Sequence, residues 1–530
     1  MGRWTYCPRA ARDTEFLSRP HRRRRAVVCA RRLFSNCRPD IEAPSGGMTC
    51  SRSADIAGPG RQSDIACKVS DGERWETGDT RMLLKVDPVD SFSGTFRVPS
   101  SKPETQRAIL TGTLAEGTSR VYNDLRCDET ETMKNACRAF GAKITEHDGF
   151  LEIQGIGGAL PQIRRVIQSR GSGLVFRVVT ALASVLPSPV VVTGDATLCN
   201  RVMEPLLQAL RELGADIESI VSENKAPVVN WGRGLKGGTC RLPGDISSQF
   251  ITAILFAAPL ADGPVEIEVT GEVYSQSYIR QTLASLTDAG IKVSASEDMR
   301  HYQVEPSSYQ AQDVTIHEDY TSASYLLAAA ALFPGRTVLT NVYGDSMQGE
   351  FAIVPILEQL GVSVTFDRAT SSLTVDNPPG SLCGAFEVDV RDCPNIVPTL
   401  AALGAYVQGS LRVTGGRLTR FHKASRIEAM AAELTRAGVD IEVLYDDGIC
   451  DGFEVRGART YPGGVTLSSW GDHRIFMSLF VAGLRMQSAN RFSGFEDVRL
   501  SFPTFMEEFT KAGVRTTAVE EENAPAGAVG

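Results

Sequence analysis

A short segment recurs six times along the 530-residue chain: an apolar helical run, a glycine, then a β-branched stretch. It reads Phe140-Gly141-Ala142-Lys143-Ile144, Leu213-Gly214-Ala215-Asp216-Ile217, Ala289-Gly290-Ile291-Lys292-Val293, Leu360-Gly361-Val362-Ser363-Val364, Ala437-Gly438-Val439-Asp440-Ile441 and Ala512-Gly513-Val514. The glycines lie 73, 76, 71, 77 and 75 residues apart. A helix that hands over to a strand favours Gly just past its end, where a left-handed backbone is tolerated without a Cβ. Six hand-overs at a near-constant interval predict one structural unit used six times.

Each unit carries two helical patterns. One is amphipathic and ends at the repeating glycine; over residues 200–213, Val202, Met203, Leu206, Leu207 and Leu210 recur at helical spacing. The other is apolar nearly all round, in residues 108–114, 175–186, 250–260, 325–333, 396–407 and 475–484. A helix apolar on every face belongs inside. Six buried helices among short strands, covered by six amphipathic ones, predict an α/β fold of two globular domains with three units each.

The totals fit such a chain. Its length allows two to four domains, and 42% apolar with 22% charged residues is ordinary for a soluble globular protein. No apolar run reaches the roughly 18 residues needed to cross a bilayer, so no membrane partner is expected. A formal net charge of −8 argues against a general nucleic-acid binder but allows a local cationic pocket. The twelve cysteines include no Cys-x-x-Cys pair, and five (Cys7, Cys29, Cys37, Cys50, Cys67) precede residue 82. Free thiols in a reducing cytoplasm are therefore expected, not disulfides or a metal site. The six histidines are dispersed and none pairs with a carboxylate at ligand spacing.

Residues 1–81 do not read as folded. The first 38 hold eleven arginines, no lysine and two acids, a composition shared with organelle transit peptides. No clear amphipathic helix accompanies it. The expectation is a disordered extension, or an unused upstream start with Met82 opening the folded protein.

The segments just ahead of the buried helices carry the chemistry. They read Ser101-Lys102-Pro103-Glu104-Thr105-Gln106-Arg107, Gly171-Ser172-Gly173 leading to Arg177, and Gly244-Asp245-Ile246-Ser247-Ser248-Gln249. The later three are Asp319-Tyr320-Thr321-Ser322, Asp392-Cys393-Pro394-Asn395 and Gly471-Asp472-His473-Arg474. Ser, Asp and Asn there are ordinary caps. Lys102, Arg107, Arg177 and Arg474 are not, because cations near a helix N-terminus oppose its dipole. One such Arg can simply neutralise a nearby Asp. Several together point to an oxyanion receptor of free N–H groups and guanidinium groups.

These motifs resemble those of the enolpyruvyl transferases, and among them the 5-enolpyruvylshikimate-3-phosphate (EPSP) synthase family, over about residues 96–514. The resemblance rests on Gly244-Asp245-Ile246-Ser247-Ser248-Gln249-Phe250 with Thr252-Ala253, on Thr321-Ser322-Ala323-Ser324-Tyr325, on Ser346-Met347-Gln348-Gly349 and on Asp472-His473-Arg474. It implies an EPSP-synthase-like α/β fold of six βαβαββ units, three per domain, with the active site in the cleft between domains. Residues 99–317 would form one domain and 82–98 with 318–516 a discontinuous other, leaving 517–530 as a flexible tail. The implied partners are two small anions, shikimate 3-phosphate and phosphoenolpyruvate, with no metal or organic cofactor. A cytoplasmic monomer is implied, with organelle targeting by the Arg-rich leader the lesser alternative.

Carried over by position, Arg107 would meet the shikimate carboxylate. Ser247, Ser248 and Ser275 would hold its phosphate, with Gln249, Tyr278 and Asn395 on the same side. Lys102, Gly173, Gln249, Arg201, Arg426 and Arg474 would surround phosphoenolpyruvate.

The chain departs from the family where protons move. The reaction needs the 5-hydroxyl to attack C2 of phosphoenolpyruvate while C3 gains a proton, so acid and base groups are required. Asn395 stands where the family has an Asp, and an amide cannot be that base. His422-Lys423 replaces a Lys-Glu pair, Pro103 a Ser, Leu174 a Thr and Leu500 a Lys. Two readings follow. Either His422 and Lys423, with Lys102 and Asn395 completing the candidate catalytic set, take over proton transfer, His being poised near neutral pH. Or the cleft serves another reaction on a shikimate-like phosphate, by elimination or with a different acceptor. A non-catalytic anion binder is a third reading, which the retained Lys102, Arg201, Arg426 and Arg474 speak against. The related UDP-N-acetylglucosamine enolpyruvyl transferases use a Cys-bearing Gly-rich loop with no clear match here, and a dinucleotide-binding fingerprint is absent. His473 reads as a structural neighbour of Arg474.

Overall fold

All six recurring glycines sit just past a helix end in the left-handed region, with φ from 79° at Gly290 to 106° at Gly141. These belong to a computed structural model that describes residues 82–521 apart from 159–161, 163–164, 222–223, 345 and 378–381. The expectations for residues 1–81 and for 522–530 lie outside the described residues.

The strands form six four-stranded sheets wired alike. In one, Arg165–Gln168 runs parallel to Val190–Thr193, which is antiparallel to Val228–Asn230, itself antiparallel to Ile217–Ser219. The other five repeat that order of one parallel and two antiparallel pairings. A buried helix accompanies each: Lys102–Leu114, Gly173–Ala183, Ser248–Ala257, Tyr320–Leu332, Val397–Gly404 and His473–Gly483. Every residue of Gly173–Ala183, Tyr320–Leu332, Val397–Gly404 and His473–Gly483 is buried, as sequences without a polar face require.

Two apolar cores result. One gathers residues between Ala108 and Ile316; the other takes Leu84 to Val98 together with Tyr320 to Val514. The chain passes between them twice, side by side. Ser100 bridges Glu318 in antiparallel fashion, with Ser101 N–H donating to His317 O at 2.7 Å and Asp319 N–H to Pro99 O at 2.9 Å. Gln348 clamps this crossing, accepting from Tyr320 N–H at 2.9 Å and donating to Glu318 O at 2.6 Å. On each side of the crossing a core completes its own sheet: Gly94–Arg97 pairs with Gly335–Thr340 in one, and Asp313–Thr315 with Thr118–Tyr122 in the other.

Two expectations are corrected. The helix expected over residues 200–213 runs over Glu204–Glu212, because Pro205 has no N–H and its ring excludes a preceding helical turn. That leaves Arg201 outside the long helix and Val202 exposed. Residues 517–520, expected in a flexible tail, belong to the strand Thr516–Glu520 paired along Met82–Val86; the alternating β-formers satisfy the otherwise open edge of the first strand. The seven described cysteines are free thiols. Among the described residues no helix is long and apolar enough to cross a membrane.

Candidate active site

Five of the six buried helices aim their N-terminal segments at one cleft of ≈ 370 Å³. Side-chain caps take some of the first-turn N–H groups, Gln249 N–H going to Ser247 Oγ and Arg474 N–H to Asp472 Oδ1, while the polar side chains of these segments line the cleft. Lys102 and Arg107 enter from the first helix, Gly173 from the second, and Ser247, Ser248 and Gln249 from the third. Asn395 precedes the fifth and Arg474 lies on the sixth, while Arg201, Ser275, Tyr278, His422, Lys423 and Arg426 come from the intervening segments. Every residue carried over from the family as a catalytic or substrate-binding candidate lines this cleft; Leu500 and the Asp319-Tyr320-Thr321-Ser322 segment are not part of its lining.

Arg107, Arg177 and Arg201, like Arg420 and Arg474, have no carboxylate within salt-bridge distance among the described residues. Arg107 is 2% exposed and spends its donors on neutral oxygens: Thr282 Oγ1 at 3.1 and 3.0 Å, Pro103 O at 3.0 Å and Tyr278 O at 2.8 Å. Burial pushes it down to about 10. Arg177 donates to Gln249 Oε1 and lies over the Phe250 ring at 5.0 Å; burial, then Arg201, pushes it down to about 9. Arg201 keeps Nε and Nη2 buried without a partner. Gly173 makes this crowding possible, since a Cβ there would stand 2.8 Å from Arg201 Nη1 and 3.2 Å from Arg177 Nη1. Ser275, held left-handed at φ 54°, likewise has an unpartnered buried hydroxyl. Buried cations lacking counter-ions beside open donors are a receptor for anions. The alternative that each Arg merely neutralises an Asp does not hold for these three.

Two of the cleft's cations are ion-paired. Lys102 Nζ meets Glu129 Oε2 at 3.0 Å, and Arg426 Nε meets Asp472 Oδ2 at 2.8 Å. Burial opposes the charge of Glu129, yet Lys102, Lys423 and Arg474 outweigh it and hold the carboxyl below its usual range. Arg426 also reaches Asn395 Oδ1 through Nη1 at 2.8 Å.

Asn395 donates to Tyr278 Oη at 2.6 Å and to Glu350 Oε1 at 3.1 Å; Tyr278 in turn donates to Glu350 Oε1 at 2.7 Å. Burial pushes Glu350 up to about 7. His422 corrects an expectation. Instead of titrating near neutrality it is held well below, first by burial and then by Arg426, with Nδ1 unpartnered. Lys423 is lowered by burial, with Glu129 pulling the other way. His473 is likewise held neutral by burial, both ring nitrogens unpartnered. Among the described residues no group of three His, Cys, Asp or Glu side chains could hold a metal ion.

Sequence reasoning missed Glu129 and Glu350 and gave Arg177 no role. Glu350 follows directly on the Ser346-Met347-Gln348-Gly349 motif and was within reach. Glu129 lies in the first turn of Asp128–Ala139 among other acids, where an acid is ordinary capping chemistry; only the tertiary meeting with Lys102 marks it.

The profile of the family described as EPSP synthase (3-phosphoshikimate 1-carboxyvinyltransferase) matches residues 86–509. The 3-phosphoshikimate 1-carboxyvinyltransferase of Methanothermobacter thermautotrophicus is 37% identical over 438 residues, 82% of this chain and 99% of the relative. That of Halobacterium salinarum is 35% identical over 449 residues, 83% and 99% of the two chains. Among solved structures, the EPSP synthase of Acinetobacter baumannii superposes with a TM-score of 0.69 at 26% identity, covering 83% of this chain and all 100% of that one. The enolpyruvyl transferase NikO of Streptomyces tendae shares the fold, with a TM-score of 0.66 at 17% identity over 84% and 100% of the two chains.

Proposed function

Because the chain belongs to the EPSP synthase (3-phosphoshikimate 1-carboxyvinyltransferase) family, we propose that it transfers the enolpyruvyl group of phosphoenolpyruvate to the 5-hydroxyl of shikimate 3-phosphate, releasing phosphate. The observation that carries the reading is the group of buried guanidinium groups without counter-ions, Arg107, Arg177 and Arg201, around one cleft. Two polyanionic substrates supply the missing charge.

In this reading Arg107 takes the shikimate carboxylate. Ser247, Ser248 and Ser275 hold its phosphate beside Gln249, Tyr278 and Asn395. Lys102, Arg201, Arg426 and Arg474 clamp phosphoenolpyruvate, and the space left by Gly173 lets Arg201 approach. Arg suits these oxygens because its fork pairs with two at once. Lys423, whose proton affinity is lowered by burial, is placed to protonate C3; neutral His422 can only orient by hydrogen bonding. Attack of the 5-oxygen on C2 then gives a tetrahedral intermediate, from which phosphate and a C3 proton leave.

The two cores act as two domains, residues 82–98 with 318–516 and 99–317, closing over the substrates and excluding water, which strengthens each charged contact. The protein works as a cytoplasmic monomer with no metal or organic cofactor in the step. Asn395 favours one second reading, a different acceptor in the same anion cleft. Phosphate release from the two substrates, with the product identified by mass, tests both: the enol ether supports the first, and tight binding without it supports the second.

A further inference from the structure

Tyr278, Asn395 and Glu350 form a hydrogen-bonded chain leading out of the cleft into the protein. Tyr278 and Asn395 line the cleft, and Glu350 lies behind them, 1% exposed. Its Oε1 accepts from Tyr278 Oη at 2.7 Å and from Asn395 Nδ2 at 3.1 Å. Asn395 cannot take a proton, and its Oδ1 is already occupied by Arg426. One other carboxylate, Glu129, lines the cleft, and Asp472 is buried behind Arg426. Glu129 is ion-paired with Lys102 and Asp472 with Arg426, so both are weak bases. Among the described residues no cation is in hydrogen-bond contact with Glu350.

We propose that Glu350 is the acceptor for the proton of the substrate hydroxyl, relayed through the hydroxyl of Tyr278. This rests on the enolpyruvyl-transfer reading. As the substrate oxygen attacks C2, its O–H bond breaks and the proton passes to Tyr278 Oη. The Tyr278 proton moves to Glu350 Oε1 in the same event, and the O–H electron pair becomes the new C–O bond. Tyr278 ends unchanged and Glu350 ends as a neutral acid. The proton leaves with the departing phosphate, which resets the site.

The groups facing Glu350 fit a base of this kind. They are Tyr278 from Gln276–Asp288, Asn395 and Cys393 ahead of the fifth helix, and Arg474 from the sixth, with Asp319 acting on Tyr278. Burial outranks them all and brings the carboxyl to about 7, where a general base serves best at neutral pH. Glu350 is thus a positioning and proton-accepting residue that acts through Tyr278.

The test follows phosphate release and enol-ether formation from shikimate 3-phosphate and phosphoenolpyruvate between pH 5 and 9. For the unaltered protein, kcat rises through about pH 7 to a plateau. Glu350→Gln loses about 100-fold or more in kcat and loses that step, while KM for phosphoenolpyruvate stays within about threefold, as expected when a proton-transfer step and not uniform binding is removed. Glu350→Asp retains a displaced step, and adding Asn395→Asp to Glu350→Gln restores turnover. Should Glu350→Gln fail to fold, Tyr278→Phe breaks the same relay and lowers kcat with the pH step lost and KM for phosphoenolpyruvate unchanged. A Glu350→Gln or Tyr278→Phe protein with near-normal kcat and an unmoved pH step overturns the relay but not the transferase reading. An unaltered protein that binds both substrates without turnover overturns both.

Discussion

Asp472 serves two partners at once: one carboxylate oxygen accepts Arg474 N–H at 2.9 Å, capping the helix His473–Gly483, and the other holds Arg426 Nε at 2.8 Å. Both side chains of the ion pair are buried, 0% exposed for Asp472 and 5% for Arg426. Because Arg426 also grips Asn395, the cap of one helix fixes the acceptor side of the cleft.

Asp472→Asn keeps an oxygen for the cap but leaves Arg426 buried and unpaired. It should cost about 3–5 kcal/mol of stability, and Asp472→Ala about 1 more for the lost cap. Chemical denaturation midpoints measure both. A loss below about 1 kcal/mol for Asp472→Asn would mean that Arg426 finds another partner.

Gly173→Ala places a Cβ 2.8 Å from Arg201 Nη1 and 3.2 Å from Arg177 Nη1, at the ends of flexible side chains. The arginines can yield, so folding survives. Their displacement should raise KM for phosphoenolpyruvate about tenfold, since loss of one charged hydrogen bond is worth about 1.5–3 kcal/mol. Steady-state kinetics beside a melting curve separate the two effects; an unchanged KM would remove Arg201 from the phosphoenolpyruvate site.

Stability should fall with pH through the titration of Glu350. Unfolded, a Glu titrates near 4.3; folded, burial pushes this one up to about 7. Between those values the folded state binds more protons than the unfolded one, so its advantage is complete below the lower value and lost by the upper. Glu350→Gln removes the dependence. Relative to the unaltered protein it should gain up to about 3 kcal/mol between pH 5 and pH 8. Parallel urea melts at the two pH values read this, and a constant difference would place Glu350 in water.

Gly438→Ala tests the repeating hand-over itself. The nearest atom to an added Cβ is Tyr461 Cδ1 at 3.9 Å, so the cost comes from φ +91° alone, about 1–2 kcal/mol. Gly349→Ala differs in kind, because its Cβ would lie 2.0 Å from Asp392 O. Denaturation should show a modest loss for the first and a larger one for the second.

The fold was legible because its signals are local and repeated. Gly141, Gly214, Gly290, Gly361, Gly438 and Gly513 each end a helix by the same backbone requirement, and six helices with no polar face can only be interior. Pro205 was visible too, but the apolar spacing of Val202 and Met203 masked its effect. The clamps were legible because cations at helix starts contradict the dipole. What the sequence hides is protonation. The burial that holds His422 neutral is not written in its neighbours, though Arg426, which adds to it, stands four positions on. Nothing near Glu350 tells that Tyr278 and Asn395, 72 and 45 positions away, close over it.

The strand Met82–Val86 finds its partners in Asn490–Phe492 and Thr516–Glu520. Leu84 stands opposite Phe492, 408 residues later. At a synthesis rate of about 5–20 residues per second, that strand waits about 20–80 s for its sheet. Throughout translation it is an open edge, the kind that pairs with wrong neighbours. The first described strand to be made is therefore among the last to be housed, and Thr516–Glu520 closes the edge that it leaves open. Chains cut short just after Val514 would retain nearly all of both cores and still release that edge.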